Sequence, residues 1–251
     1  MLNSIFTRAL LFALLAWPML TTASESARHL QAIRSEAFDV CNGVLLYFNP
    51  NIDHRGGRNP HHAEEYRQSL ERLGQLVGSV RDTQLATQVR KIQTLLAELE
   101  RQPASVEWRY AHWLNPTLEA HADLDNRAAD LYTNAPKSPD QVSLDALSLD
   151  VARLNLLYQT RTFGGLRLFI SDNSSEPFKE LDGRIVEGFD AAEGAWPNSQ
   201  DIISTNRRNY YFVRSSLLAN GANWVQGSAA YYLGKITRSL NSLSAQQRLG
   251  N

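Results

Sequence analysis

The feature that most constrains this chain is the spacing of its apolar residues, which recur at alternating steps of three and four from about residue 30 to residue 243. This spacing puts apolar side chains on one stripe of an α-helix, whereas a half-buried strand requires alternation with a period of two. No stretch alternates for long enough to indicate a strand. The sequence therefore predicts an all-α fold: an antiparallel bundle of long helices, similar to a four-helix bundle, with extra short helices.

The helix predicted from Pro139 to about Ser171 is the longest, and it carries two apolar stripes. Ser138 is placed to cap its first turn, with Gln141 three residues later. The first stripe consists of Leu144, Leu147, Val151, Leu154 and Tyr158, and the second of Leu149, Leu156, Phe163 and Ile170. Two stripes need burial on two sides, so we expect this helix to be central. Within it, Gly164-Gly165 would let another helix approach closely.

Other local signals mark where helices begin and end. Asn49-Pro50 is expected to stop the first helix, because proline cannot continue it. The apolar pattern steps by five residues at Arg81-Asp82-Thr83, which predicts a break, since such a step cannot keep one stripe facing the core. Asn115-Pro116 has the form of a cap followed by proline in the first turn, which predicts the start of a helix.

Residues 1–23 have the layout of a cleavable signal peptide. Arg8 precedes an apolar run over residues 9–20, and small residues follow at 21–23. The run is too short for a bilayer, which needs about 20 apolar residues. We therefore predict cleavage after Ala23, a periplasmic location, no membrane span after cleavage, and a single helical-bundle domain over 24–251 with possible halves 24–135 and 136–251.

Charge and cysteine content narrow the classes of function. The chain has 25 basic and 26 acidic residues. Removing Arg8 with the signal leaves 24 against 26, so no basic excess favours nucleic acid or an anionic membrane surface. Cys41 is the only cysteine, so no internal disulfide forms, and its apolar neighbours predict a buried thiol.

A histidine-rich segment after the first helix is one candidate site. His54, His61, His62 and Glu65 are typical ligands of zinc, copper, nickel or iron, and His61 and Glu65 share a helical face at a spacing of four. The alternative is a solvated loop whose Asn59-Pro60 caps the next helix. The spacing matches no established metal motif, so both interpretations stay open.

The second half of the chain resembles a known family. The segment from Tyr210 to Leu218, with Ser216 followed by Val225, Tyr232 and Ile236, is similar to the closing helices of the PilJ-type domain. That domain is the periplasmic N-terminal module of type IV pilus methyl-accepting chemotaxis transducers. The resemblance covers roughly residues 140–245 and implies a helical sensory bundle. Members are anchored by transmembrane helices and drive cytoplasmic signalling domains. This sequence predicts neither feature, so the chain is expected to be a free-standing relative.

The same resemblance points to a ligand site on the long helix. The family carries an arginine- and glutamine-rich turn there, and in the comparable stretch 151–160 Leu157 and Gln159 keep their identity. Arg153, Gln159 and Arg161 interrupt an otherwise apolar helix, and a guanidinium near a buried stripe needs a partner. That partner is either a protein carboxylate or a bound anion, for which the guanidinium fork is suited.

No nucleophile–base, phosphate-binding or zinc-protease motif is present. We therefore expect a non-enzymatic protein without a cofactor that binds a small molecule, an anion or an envelope protein in a sensory-type role. The alternatives are a metal-binding protein that uses the His54–Glu65 cluster and a structural adaptor of an envelope or pilus complex.

Overall fold

The structure, a computed structural model, describes the backbone of residues 3–52, 58–167, 176–219 and 224–246, and side chains in these ranges from residue 25 onward. The described backbone contains helices and no strand, so the predicted all-α fold is confirmed. The long helices are α1 (Asn3–Phe48), α2 (Pro60–Val80), α3 (Thr83–Glu100), α4 (Ala111–Asn134), α5 (Pro139–Phe163), α6 (Pro177–Ala195), α7 (Gln200–Leu218) and α8 (Gln226–Gln246). Short 3-10 helices lie at Ala104–Arg109 and Pro197–Ser199.

The eight helices form two four-helix bundles. In the first, α1 packs on α2, α2 on α3, α3 on α4, and α4 returns to α1. In the second, the same cycle runs from α5 through α6 and α7 to α8, which packs back on α5. The two bundles meet where α1 contacts α5 and α8. Each bundle encloses its own apolar core.

Helix α5 belongs to both cores, as its two stripes predict. Leu144, Leu147, Val151, Leu154 and Tyr158 are buried in the second core with residues of α6, α7 and α8. Leu149, Leu156 and Phe163 are buried in the first core. Ile170 lies outside the described residues. The prediction that α5 is central is confirmed.

A row of charged side chains joins the bundles on one side of α5. Arg34 of α1 pairs with Asp125 of α4, with Nε and Oδ1 2.6 Å apart. Arg153 of α5 contacts both Asp125 and Asp150, and Arg184 of α6 pairs with Asp150 at 3.0 Å. The ion pairs therefore link α1, α4, α5 and α6 in sequence.

Two helix boundaries follow the predictions. Helix α1 ends at Phe48, directly before Asn49-Pro50. The break after α2 is confirmed, because Arg81 adopts a left-handed conformation with φ of 58° and Asp82 caps α3 by accepting from the amides of Gln84 and Leu85.

Two other boundary predictions are wrong. Helix α5 ends at Phe163, because Gly164 and Gly165 have φ of 78° and 68° and do not continue a helix. Helix α4 begins at Ala111 and not near Pro116, which lies inside it. Trp113 and Leu114 are buried in the first core, and this burial favours helix upstream of the proline.

Two further findings concern Cys41 and membrane spans. Cys41 is buried as predicted, and burial raises the pKa of its thiol to about 12. None of the helices, as far as their residues are described, is both long and apolar enough to cross a membrane.

Candidate ligand-binding groove

A groove lined by many polar side chains lies between the two bundles, and we call it the inter-bundle groove. Its floor is α1 over residues 28–46, one wall is α2 over 61–72, and the other wall is α8 over 227–245. Two neighbouring cavities of about 370 and 260 Å³ make up this groove, and Asp39, Arg72 and Arg238 line both. The larger volume is within the range of about 300–1,000 Å³ that is typical of small-ligand sites.

Asp39 lies on the floor where the two cavities meet. Its carboxylate makes no hydrogen bond or ion pair with any described residue. Burial, reinforced by the nearby charge of Glu36, raises the pKa of Asp39 to about 7, although Arg238 and Arg72 act in the opposite direction. The groove therefore holds a carboxyl group that is partly protonated near neutral pH.

Other polar atoms of the groove are buried without a partner. Asn42 Oδ1, Gln31 Oε1 and Glu36 Oε2 accept no hydrogen bond from any group in the described part of the chain. For Gln31 the amide orientation is fixed, because its Nε2 donates to the Asp145 carbonyl at 3.2 Å. A buried acceptor left unsatisfied costs about 1–3 kcal/mol, so these atoms mark a place where a donor from outside the chain is favourable.

Two arginines flank the floor. Arg72 of α2 pairs with Glu36, with Nε and Oε1 2.9 Å apart, and also donates to Ser69. Arg238 of α8 lies over Gly234, whose missing side chain leaves room for the guanidinium: a Cβ there would be 3.2 Å from Arg238 Nη1. Among the described residues, Arg238 forms no ion pair or hydrogen bond.

The histidines predicted as metal ligands lie at one end of the groove. His61 Nε2 and His62 Nδ1 contact the two oxygens of Glu65, at 3.4 and 3.1 Å. Both histidines and Glu65 line the larger cavity, while His54 lies outside the described residues. The part of the chain that the structure describes contains no group of three or more histidine, cysteine or acidic side chains placed to hold a metal ion. Asn59 accepts from the amide of His61, as the capping interpretation predicts.

The three residues predicted as a ligand site on α5 are placed apart. Arg153 contacts Asp125 and Asp150, so its partners are protein carboxylates. Gln159 is fully buried and donates to Asn155 Oδ1 and to the Gln226 carbonyl of α8. Asn155, which accepts from Gln159, also lines the larger cavity and so connects Gln159 to the inter-bundle groove.

Arg161 occupies a different environment at the end of α5. Its guanidinium lies 4.0 Å from the ring centre of Phe178 and 5.3 Å from those of Tyr158 and Trp224, and it donates to the Leu217 carbonyl at 2.7 Å. Burial lowers the pKa of Arg161. Aromatic rings and a carbonyl group therefore surround this charge.

Sequence reasoning missed the floor of the groove, although a signal is present. Gln31, Ser35, Asp39 and Asn42 follow one another at steps of four, four and three, so they form a polar stripe beside the apolar one on α1. Such a stripe is also typical of a solvated face. Only the packing of α8 across it shows that these side chains line a groove.

No protein-family model, curated protein or solved structure matches this chain. The resemblance to the PilJ-type domain stays a prediction, and a functional assignment depends on the chemistry of the groove.

The unusual environment of Asp39 predicts a pH-dependent stability. An unfolded aspartate has a pKa near 4, whereas burial raises the pKa of folded Asp39 to about 7. Between these values the folded state binds more protons, so the contribution of Asp39 to stability falls as the pH rises. We expect Asp39→Asn to be stabilising, and its gain over wild type to be larger at pH 8 than at pH 5 by at least about 1 kcal/mol.

Urea unfolding of both proteins at the two pH values measures this difference. The exposed Asp123→Asn on α4 is the matched control for the loss of an aspartate charge. An Asp39→Asn variant that is less stable than wild type by the same amount at both pH values would show that Arg72 and Arg238 stabilise an ionised Asp39.

Proposed function

We propose that this chain is a non-enzymatic binding protein with a sensory-type role, and that the inter-bundle groove holds a small polar ligand. The observation that carries the proposal is the set of buried polar atoms in the groove, on Gln31, Glu36 and Asn42, that lack partners within the described chain. Folded proteins rarely leave such atoms unsatisfied, and a bound polar molecule supplies the missing hydrogen bonds.

The position of the groove supports the sensory part of the proposal. Its walls belong to different bundles, α2 to the first and α8 to the second, so one bound molecule contacts both. A ligand shifts a conformational equilibrium only by its different affinity for the two states. A ligand that bridges α2 and α8 favours arrangements in which both helices reach it, and thereby couples binding to the relative position of the bundles.

A variant that fills the groove tests the proposal. Gly227 lines the larger cavity, and a Cβ built there meets nothing within 4 Å, so Gly227→Trp fills the groove without a clash at Cβ. Gly78→Trp on α2 is the matched control, because a Cβ there is equally free and Gly78 lines neither cavity.

The measurement is the thermal unfolding of the three proteins with millimolar amino acids, amines, carboxylic acids, sugars and inorganic anions. We expect at least one compound to raise the Tm of wild type and Gly78→Trp but not that of Gly227→Trp. A ligand at 100 times its Kd stabilises by about 2.7 kcal/mol, which is a rise of about 5–10 °C for a domain of this size. An equal rise in all three proteins, or no rise with any compound, would contradict the proposal and favour a structural adaptor.

The same thermal unfolding experiment also tests the metal-binding alternative when zinc is added. His61, His62 and Glu65 lie together at the end of the groove. Zinc that stabilises wild type but not His62→Ala would favour a metal site there. Small polar compounds that stabilise wild type but not Gly227→Trp, with no effect of zinc on wild type, would favour the ligand site.

We also propose that the protein acts in the periplasm after the first 23 residues are removed. The support is the layout of residues 1–23, with a basic start, a short apolar run and small residues before Ser24. N-terminal sequencing of the protein from its native host is expected to begin near Ser24. A chain that still begins with Met1 would overturn this assignment.

A further inference from the structure

The inter-bundle groove presents two opposite charges from opposite sides. Asp39 projects from α1 and Arg238 from α8, and both line both cavities. They act on each other electrostatically, yet they form no ion pair with each other or with other described residues. A groove that keeps two opposite charges apart is suited to a molecule that carries both charges itself.

The acidic side of the groove offers acceptors for an ammonium group. Asn42 lies three residues after Asp39 and therefore on the same face of α1. Asn42 is only 5% exposed, lines the larger cavity, and its Oδ1 has no partner within the described chain. An ammonium has three donors and no acceptor, which matches a carboxylate beside an amide oxygen.

The basic side offers donors for a carboxylate group. The guanidinium of Arg238 lies against Gly234, one turn earlier on the same helix. Its planar fork is suited to bind a carboxylate through two parallel hydrogen bonds. Arg72 is already engaged by Glu36 and Ser69, and Arg28 donates to the Ala245 carbonyl, so Arg238 is the guanidinium that is available to a ligand.

We propose that the ligand of the inter-bundle groove is a small zwitterionic amino acid, with its ammonium group on Asp39 and Asn42 and its carboxylate on Arg238. This inference rests on the proposed function and adds the chemical class of the ligand.

The charged groups around Asp39 give the proposal a pH dependence. The charged and titratable groups are Arg28 and Glu36 from α1, Glu65, His61, His62 and Arg72 from α2, Asp145 from α5, and Tyr231 and Arg238 from α8. Burial raises the pKa of Asp39 more than the two arginines lower it, so this pKa is about 7. Because only the ionised carboxylate attracts an ammonium, we expect affinity to rise between pH 6 and pH 8.

The experiment is isothermal titration calorimetry at pH 8 with the twenty L-amino acids, β-alanine and γ-aminobutyrate. For each compound that binds, the matched amine without the carboxylate and the matched acid without the ammonium are titrated as well. We expect at least one amino acid to bind and both analogues to bind at least about tenfold more weakly. Asp39→Asn and Arg238→Gln are each expected to weaken binding at least about tenfold, and the exposed Arg208→Gln on α7 is the control without effect.

Each other outcome has a distinct meaning. An amine or an acid that binds as tightly as the parent amino acid would overturn the zwitterion proposal, and so would affinity that falls as the pH rises. If no amino acid binds but another compound stabilises wild type and not Gly227→Trp, the inference fails and the proposed function stands. If no compound of any class stabilises wild type, both fail.

Discussion

Replacing Asp125 with alanine is expected to lower the free energy of unfolding by about 3–5 kcal/mol. Asp125 accepts two hydrogen bonds from Arg34, whose side chain is only 7% exposed, and it also contacts Arg153. Burial alone would raise the pKa of Asp125, but the Arg34 hydrogen bond and the two positive charges keep it below its ordinary value. The alanine variant leaves the Arg34 guanidinium buried without its ion-pair partner, which is costly in a low-dielectric interior.

Urea unfolding of wild type and Asp125→Ala measures this loss in the free energy of unfolding. Glu119→Ala is the matched control on the same helix, because Glu119 forms only an exposed ion pair with Lys91, and we expect it to cost less than about 1 kcal/mol. A loss below about 1 kcal/mol for Asp125→Ala would show that water reaches Arg34 and that the row of ion pairs does not hold the bundles together.

The second large loss of stability is expected when leucines in the two apolar stripes of α5 are replaced with alanine. Leu154 is fully buried in the second core, and Leu156 is 6% exposed and packs in the first. Leu154→Ala and Leu156→Ala each remove buried methyl groups and leave a cavity, so each is expected to cost about 2–5 kcal/mol. Because the two residues lie in different cores, we expect their effects to be nearly additive in the double variant.

Denaturant unfolding of both single variants and the double variant checks this prediction. Val142→Ala is the control on the same helix, since Val142 is 39% exposed, and its cost is expected to be within about 0.5 kcal/mol. A cost below about 1 kcal/mol for either leucine variant would indicate that one stripe faces solvent.

The two stripes of α5 show what could be predicted from this sequence. A helix with apolar residues on two sides is buried on two sides, and the structure divides the stripes between two cores. The break at Arg81-Asp82 was also predictable, because a five-residue step disrupts the stripe and Asp82 is a good cap. These signals agree with the packing of the surrounding helices, so the fold does not override them.

The errors have tertiary causes. Helix α4 continues upstream of Pro116 because the burial of Trp113 and Leu114 offsets the loss of one backbone hydrogen bond. Gly164-Gly165 is compatible with either a close helix crossing or a helix end with positive φ, and the structure shows the second.

The candidate site was missed for a related reason. The row of ion pairs that binds Arg153 comes from four helices, so the α5 sequence alone left its partner open. Likewise, the polar stripe of α1 becomes a groove only when α8 packs across it, more than 180 residues later in the sequence.

Hydrogen–deuterium exchange locates the ligand on the protein. Wild type is compared with and without the compound that raises its Tm most in the thermal series. We expect slower exchange at 31–46 of α1 and in the first turns of α2 and α8, whose amides have no intrahelical acceptor. Unchanged exchange in these three segments, together with protection around Arg161, Phe178 and Trp224 or at any other surface, would contradict a ligand site in the inter-bundle groove.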